Sequence, residues 1–234
     1  MSNQNPGNVA GTPKNAETGA EQTLNTAVEK LNKNKNIILY SVIGILVIVA
    51  AVLAYLNLYL KPHQKAADEA LYKAESYFAK DSFLLALEGN GADIVGFNDI
   101  IKKYGSTKAG NLAEYYAGVS LYHLGRYEEA ISHLKKFKSK DIMVAPAAKG
   151  LIGDALVELG KTEEAVGYFE NAAKMADNDL ISPIYLQKAG IAYRSLGKKE
   201  EALKAFETIK TKYAGSALAP EADKYIQELR LLAD

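Results

Sequence analysis

A frame of small, turn-forming and large residues occurs three times in the second half of the chain, and it limits the fold more than any other feature. Each copy has an apolar residue followed by glycine, then Leu-Gly, a Glu-Glu-Ala run and a large apolar residue. The turn glycines Gly125, Gly160 and Gly197 lie 35 and 37 residues apart. A nearly constant period of this length is typical of stacked helical hairpins that bury their apolar faces against their neighbours.

The order of residue sizes predicts how one hairpin is built. Gly118, Gly153 and Gly190 fall within the first helix, where glycine costs about 1 kcal/mol relative to alanine, so we expect the backbone of another helix to pass close to them. The turn glycine ends this helix in the left-handed conformation, and the Glu-Glu pair opens the second helix at the positive end of its dipole. An alanine and a large residue four positions later then form a crossing point. We call the large residues the knobs: Leu134, Phe169 and Phe206.

This frame resembles the tetratricopeptide repeat (TPR). The chain departs from the TPR pattern because it has no Trp, and because Ile142, Asp177 and Ala214 stand where a late proline is usual. The resemblance implies an all-α, TPR-type helical-hairpin solenoid, with repeats at about 111–142, 146–177 and 183–214.

The N-terminal part has a different composition. Residues 1–36 are polar and are predicted to be a disordered tail. Residues 37–60 carry no formal charge, and 24 helical residues can span a hydrocarbon core of about 30 Å. A buried core helix rarely runs so far without charge, and a cleaved signal peptide has a shorter apolar run. The sequence therefore favours one retained transmembrane helix.

Residues 61–234 are predicted to form the solenoid. Its first repeat, 64–104, is degenerate, with one helix from Pro62 to about Leu87 carrying Ala66, Ala70 and Ala74 on one face. The segment from Phe97 to Tyr104 echoes the segment 206–213. A capping helix is predicted at 217–232, since terminal units of such arrays are atypical.

No catalytic or cofactor-binding constellation stands out in the sequence. Without cysteine there is no thiolate chemistry, and His63, His123 and His133 lack the acidic neighbours of a metal site. Outside the tail the charges balance, and only three arginines occur, which argues against nucleic-acid binding. We therefore expect no enzyme activity, no cofactor, no metal and no nucleic-acid partner.

The remaining candidate for function is the surface formed by the first helices of the hairpins, where a groove could bind an extended peptide or a partner helix. An alternative is that several of its tyrosines pack as core. The predicted groove residues are Tyr115, Tyr116, Val119, Tyr122, His123, Asp154, Glu158, Gln187, Lys188 and Arg194.

Residues 37–234 together resemble the YfgM-like family of bacterial single-pass inner-membrane proteins. The resemblance rests on the short polar N-terminus, the single anchor, and the segments ending in Tyr104-Gly105-Ser106 and Tyr213-Ala214-Gly215-Ser216. It implies a cytoplasmic N-terminus, a periplasmic TPR domain and an ancillary chaperone-type role at the Sec translocon, beside a folding factor of the PpiD type. The alternative function is a scaffold that self-associates or organises another inner-membrane complex.

Overall fold

The computed structural model describes residues 24–26, 28–29 and 33–231, and every regular element in these ranges is helical. The predicted all-α class is confirmed. Most of the predicted tail, 1–36, lies outside the described residues, as does Leu232 at the end of the predicted capping helix. The chain divides into two compact units between Leu60 and Lys61.

The first unit contains one apolar helix, α1 (Lys35–Ala54), followed by a π-helix (Tyr55–Leu60). Two of its polar side chains bond to the backbone of the same segment: Ser41 Oγ donates to the carbonyl of Ile37 at 2.8 Å, and Asn57 Nδ2 donates to that of Leu53 at 3.0 Å. Such bonding suits a helix surrounded by hydrocarbon. By length and composition this helical segment could cross a membrane, a test that signal sequences also pass.

The second unit is a series of antiparallel helices that pack mainly against their neighbours along the chain. In chain order they are α2 (Lys61–Phe78), α3 (Phe83–Glu88), α4 (Phe97–Tyr104), α5 (Lys108–His123), α6 (Tyr127–Lys136), α7 (Val144–Glu158), α8 (Thr162–Ala176), α9 (Ser182–Ser195), α10 (Lys199–Lys212) and α11 (Ala219–Leu231).

The three turn glycines end α5, α7 and α9 as predicted, with φ angles of +74°, +72° and +70°. After α5, the N–H of Arg126 donates to the carbonyl of Leu121, and the N–H of Gly125 donates to that of Tyr122. The same two bonds recur after α7 and α9. Each turn is therefore a Schellman motif, which satisfies carbonyls that the helix end would otherwise leave free.

The glycines within α5, α7 and α9 each lie under the knob of the following helix. A Cβ atom on Gly118 would be 2.6 Å from Cγ of Leu134, and one on Gly153 would be 2.5 Å from Cε1 of Phe169. Gly190 and the ring of Phe206 repeat this contact at 2.6 Å. The nearest neighbour is in each case a side chain sixteen residues later, which corrects the expectation of a close backbone at Gly153 and Gly190. At Gly118 the backbone oxygen of Ala130, on the next helix, also lies 3.2 Å from the added Cβ, as expected.

The predicted single helix from Pro62 to about Leu87 is wrong, because the chain turns at 79–82 and separates α2 from α3. Asp81 adopts a left-handed φ of +55°, the N–H of Ser82 donates to the carbonyl of Tyr77, and the N–H of Asp81 donates to that of Phe78. This is the Schellman pattern again, with aspartate in the position that glycine fills elsewhere. In α2 the buried face carries Ala67, Leu71 and Ala74, whereas Ala66 is exposed.

Ion pairs join neighbouring helical units along the chain. Lys188 pairs with Asp154 and Arg194 with Glu228, each across 34 residues. Lys198 pairs with Glu163, and Lys212 with Asp177, each across 35 residues. A separation of 34 or 35 residues, close to one repeat, places these pairs between successive hairpins, and the knobs Phe169 and Phe206 are buried in the core.

Candidate partner-binding groove

A cavity of about 310 Å³ opens where the first helices of three hairpins, α5, α7 and α9, come together. A cavity of this size is at the lower end of the range of ligand sites and has room for a few side chains of a partner. It is lined by Tyr122, Asp154, Val157, Glu158, Thr162, Phe169, Lys188, Ile191, Ala192 and Ser195. Tyr122, Asp154, Glu158 and Lys188 among them were predicted as groove residues from the sequence.

The charged groups in the cavity are held in a defined arrangement. Lys188 Nζ lies 2.7 and 2.6 Å from the two carboxylate oxygens of Asp154, and 5.8 Å from the ring centre of Phe169. This pair is half-buried, so it resists solvent screening better than an exposed pair. Glu158 forms no ion pair with any residue that the structure describes, so its carboxylate remains available to a ligand.

Tyr122 adds a hydrogen-bond donor. Burial, together with the carboxylates of Asp154 and Glu158, raises the pKa of Tyr122 above its usual value of 10.0. Its hydroxyl therefore keeps its proton at neutral pH. Val157 and Ile191 are 41% and 39% exposed, so both side chains offer apolar contact to a partner.

Tyr115 lies outside this cavity, among aromatic residues. Its ring centre is 5.2 Å from that of Phe137. A Cβ atom on Gly150 would be 2.0 Å from the ring of Tyr185. Burial and Asp154 raise the pKa of Tyr185 to about 12, with a smaller contribution from Tyr115. The rings of Tyr115 on α5 and Tyr185 on α9 therefore pack between hairpins.

Tyr116, on α5, is half-buried and packs against the core that α5 shares with α2 and α4. Its ring is stacked on Phe97 at 5.4 Å and meets Phe78 edge-on at 5.0 Å. Its hydroxyl bonds to the carboxylate of Glu75, and burial and that carboxylate raise the pKa of Tyr116 to about 12. Burial in turn raises the pKa of Glu75 above 4.5, although the bond from Tyr116 opposes the shift.

Replacing Glu75 with glutamine is expected to stabilise the fold at pH 7 and to have little effect near pH 4. Because the folded chain holds the Glu75 proton to a higher pH, the stabilising contribution of Glu75 is full below its unfolded pKa and is lost as the pH rises through its folded pKa. Urea unfolding at both pH values measures the difference. Glu69→Gln, on the exposed side of the same helix, is the control, and an equal gain for E75Q at both pH values would contradict the expectation.

The other predicted groove residues do not line the cavity. His123 is exposed and stacked on Phe83, with ring centres 4.3 Å apart. Arg194 pairs with Glu228 at 3.2 Å and lies 5.2 Å from the ring centre of Tyr225, so it packs against α11. Val119 and Gln187 are half-buried beside the cavity residues on their helices.

The histidines outside the groove have ordinary structural neighbours. His133 Nδ1 lies 2.6 Å from Glu114 Oε2, and both side chains are largely buried. His63 packs near Tyr104, with ring centres 4.8 Å apart. Within the described ranges, no group of three or more acidic or histidine side chains is arranged to hold a metal ion.

Sequence reasoning missed Val157, Thr162, Phe169, Ala192 and Ser195 as lining residues. Val157 lies three positions after Asp154, on the same helical face, so helical spacing alone could have identified it. Phe169 was predicted only as a knob, yet one part of its ring covers Gly153 while another contributes to the cavity.

Comparison with solved structures places this architecture among helical repeat proteins. The structure of MamA protein superposes with a TM-score of 0.51 at 20% identity, over 70% of this chain and 89% of MamA. A Rap protein complexed with Competence and Sporulation Factor gives 0.49 at 19% identity, and this chain spans about half of that protein, 47% of its length. The solenoid is therefore of the TPR type. No curated protein matches the chain in sequence.

The sequence of the solenoid also matches a known protein family. The family model described as "T7SS, ESX-1 secretion system protein EccA1, N-terminal domain" matches residues 86–225. The match runs from α3 to α11 and includes every residue that lines the groove cavity. Since it covers more than half of the chain, this protein belongs to the family of the EccA1 N-terminal domain.

Proposed function

We propose that this chain is a membrane-tethered, non-enzymatic protein-interaction module that binds an extended segment of a partner protein in its groove. The observation that carries the proposal is the cavity between α5, α7 and α9, where exposed Val157 and Ile191 lie beside the available carboxylate of Glu158. TPR-type solenoids in general support binding of protein partners.

The groove suits a segment that offers both apolar side chains and polar or positively charged groups. Apolar side chains would contact Val157, Ile191 and the ring of Phe169, and the hydroxyl of Tyr122 would donate to a backbone carbonyl. A lysine, an arginine or a backbone N–H of the partner would bind Glu158. The Asp154–Lys188 pair keeps the middle of the cavity polar and so orients the segment.

A bacterial inner-membrane location is part of the proposal, with α1 as the anchor, the N-terminus in the cytoplasm and the solenoid in the periplasm. Its support is the uncharged run of 37–60 and the internally bonded Ser41 and Asn57. Tethering raises the effective concentration of the groove towards partners at the membrane.

We further infer that the partners belong to protein export, as YfgM-like proteins do beside the translocon. The family description supports this inference, because it names a secretion-system protein. The partners would be translocon or envelope-assembly subunits, or polypeptides emerging from them.

Photo-crosslinking from inside the groove tests the proposal. Benzoylphenylalanine in place of Ile191 should give adducts with membrane export subunits or newly exported chains, whereas the same group in place of exposed Lys204 on α10 should not. Combining the probe with V157D should remove the adducts. Identical adducts from both positions would contradict groove binding. Adducts only with a second copy of this chain would also contradict it and would favour the alternative function, a scaffold that self-associates.

A reporter fused after Asp234 tests the location independently of the groove. Alkaline phosphatase, which is active only outside the cytoplasm, should be active in this fusion, while a fluorescent protein that folds only in the cytoplasm should stay dark. The reverse result would place the solenoid in the cytoplasm and exclude periplasmic partners.

A further inference from the structure

A second pocket, of about 440 Å³, lies at the junction between the first two complete hairpins and shares no lining residue with the groove. It is formed by the end of α6, the linker that follows, the start of α7 and one side chain of α8. Its lining residues are Leu134, Phe137, Lys138, Ser139, Lys140, Ala145, Ala148, Lys149 and Met175. We call this site the lysine pocket.

The charge of the lysine pocket has one sign. Three lysines line it: Lys138, Lys140 and Lys149. Lys135 is a neighbour of Lys149, because the ammonium group of each lies 5.9 Å from the ring centre of Tyr168. No carboxylate lines the pocket, and in the described part of the chain none of these four lysines forms an ion pair. By contrast, Lys188, Lys198 and Lys212 are all paired across hairpins.

The acidic residue of the linker, Asp141, is hydrogen-bonded to the backbone. Asp141 Oδ1 accepts from the N–H groups of Met143 at 2.8 Å and Val144 at 2.9 Å, which lowers the pKa of Asp141. This carboxylate therefore stays charged and bonded to the start of α7. Among the described residues, it forms no ion pair with the lysines of the pocket.

The linker is held in place before any ligand arrives. The side-chain amide of Asn111 bonds both backbone groups of Lys138: its Oδ1 accepts from the N–H at 2.9 Å, and its Nδ2 donates to the carbonyl at 2.8 Å. Ser139 Oγ accepts from the N–H of Asp141 at 3.0 Å. A pocket fixed in this way loses little conformational entropy on binding.

The apolar floor shows that a simple anion would fill only part of the pocket. Leu134, Ala145 and Ala148 are buried beneath it, and Met175 is 42% exposed at its side. A complementary ligand needs negative charge for the rim and an apolar group for the floor. We propose that the lysine pocket binds an acidic segment of a partner protein that inserts an apolar side chain between its own carboxylates.

Fluorescence anisotropy with the full chain in detergent micelles tests this site. The probe is a labelled peptide with glutamates on both sides of a pair of leucines; its controls replace the glutamates with glutamine or the leucines with serine. We expect the acidic, apolar peptide to bind and each control to bind about tenfold more weakly or worse. Binding should weaken as salt concentration rises.

Matched variants separate the pocket from general electrostatics. Lys138→Gln, Lys140→Gln and Lys149→Gln together should weaken binding at least about tenfold, whereas Lys161→Gln, Lys204→Gln and Lys224→Gln, which remove the same charge from exposed sites elsewhere, should change it less than about twofold. Asn111→Ala removes no charge but frees the backbone of Lys138, so it should weaken binding less than the triple lysine variant of the pocket does. The groove variant V157D should leave binding unchanged.

Three results would overturn the proposal. The first is equal loss of binding in the two triple variants. The second is failure of the acidic peptide to bind at millimolar concentration. The third is displacement of the peptide by phosphatidylglycerol added to the micelles at the level found in a membrane, which would make the pocket a site for lipid headgroups.

Discussion

Replacing Gly153 with alanine is expected to lower the free energy of unfolding by about 1–3 kcal/mol, although alanine normally favours a helix. The new methyl carbon would lie 2.5 Å from Cε1 and 2.8 Å from Cδ1 of Phe169, whose side chain is 2% exposed. The ring can withdraw only towards the groove cavity, which would break its contacts in the core, so the hairpin must open slightly or the ring must leave its preferred rotamer.

Gly167→Ala provides a matched control on the neighbouring helix α8. A Cβ atom there would meet nothing within 4 Å, so the usual preference for alanine should stabilise the fold by about 0.5–1 kcal/mol. Urea unfolding of the full chain, followed by far-UV circular dichroism, measures both changes. Destabilisation of similar size in G153A and G167A would show that the contact with the knob is not what requires glycine.

Replacing the knob Phe206 with alanine is expected to cost about 3–5 kcal/mol, the largest loss from any single side chain considered for this chain. Phe206 is fully buried, and its ring is stacked on Tyr225 with centres 4.6 Å apart and planes 14° apart. It therefore connects α9, α10 and the capping helix α11. Tyr72→Ala is the control, since that ring is 73% exposed and its loss should change stability by less than about 0.5 kcal/mol.

A double-mutant cycle extends this measurement to the partner glycine. A methyl group on Gly190 would occupy space that the ring of Phe206 leaves when it is removed. The double variant G190A/F206A should therefore be more stable than the sum of the single changes predicts, by about 0.5–3 kcal/mol. Strict additivity would mean that the two positions do not share one contact.

The sequence predicted the three complete hairpins well because local rules determine them. Each Schellman turn needs only a glycine at the correct place, and each pair of acidic residues marks the next helix start. The prediction failed at Asp81, where the same turn is built on a residue that rarely adopts a positive φ. Without a glycine to mark it, the break between α2 and α3 could not be recognised from helical spacing.

The groove was predictable only in part, for a different reason. Asp154, Glu158 and Lys188 line the cavity, because charged residues on the first helices must face solvent. Tyr115 and Tyr116 could face either way, since tyrosine suits both a core and a binding surface. Their contacts with Phe137 and Phe97 depend on the stacking of hairpins, which the spacing of one chain does not specify.

The bonds that recur across 34 or 35 residues have a practical meaning for engineering. They act as a ruler: a duplicated stretch of 35 residues, such as 146–180, would bring its own glycine and its own knob, and Glu163 and Asp177 of the first copy would pair across the new junction once lysine replaces the same two residues in the second copy, as Lys198 and Lys212 do in the present chain. The protein could then be lengthened by whole modules, and the length of partner that it accommodates would grow in equal steps.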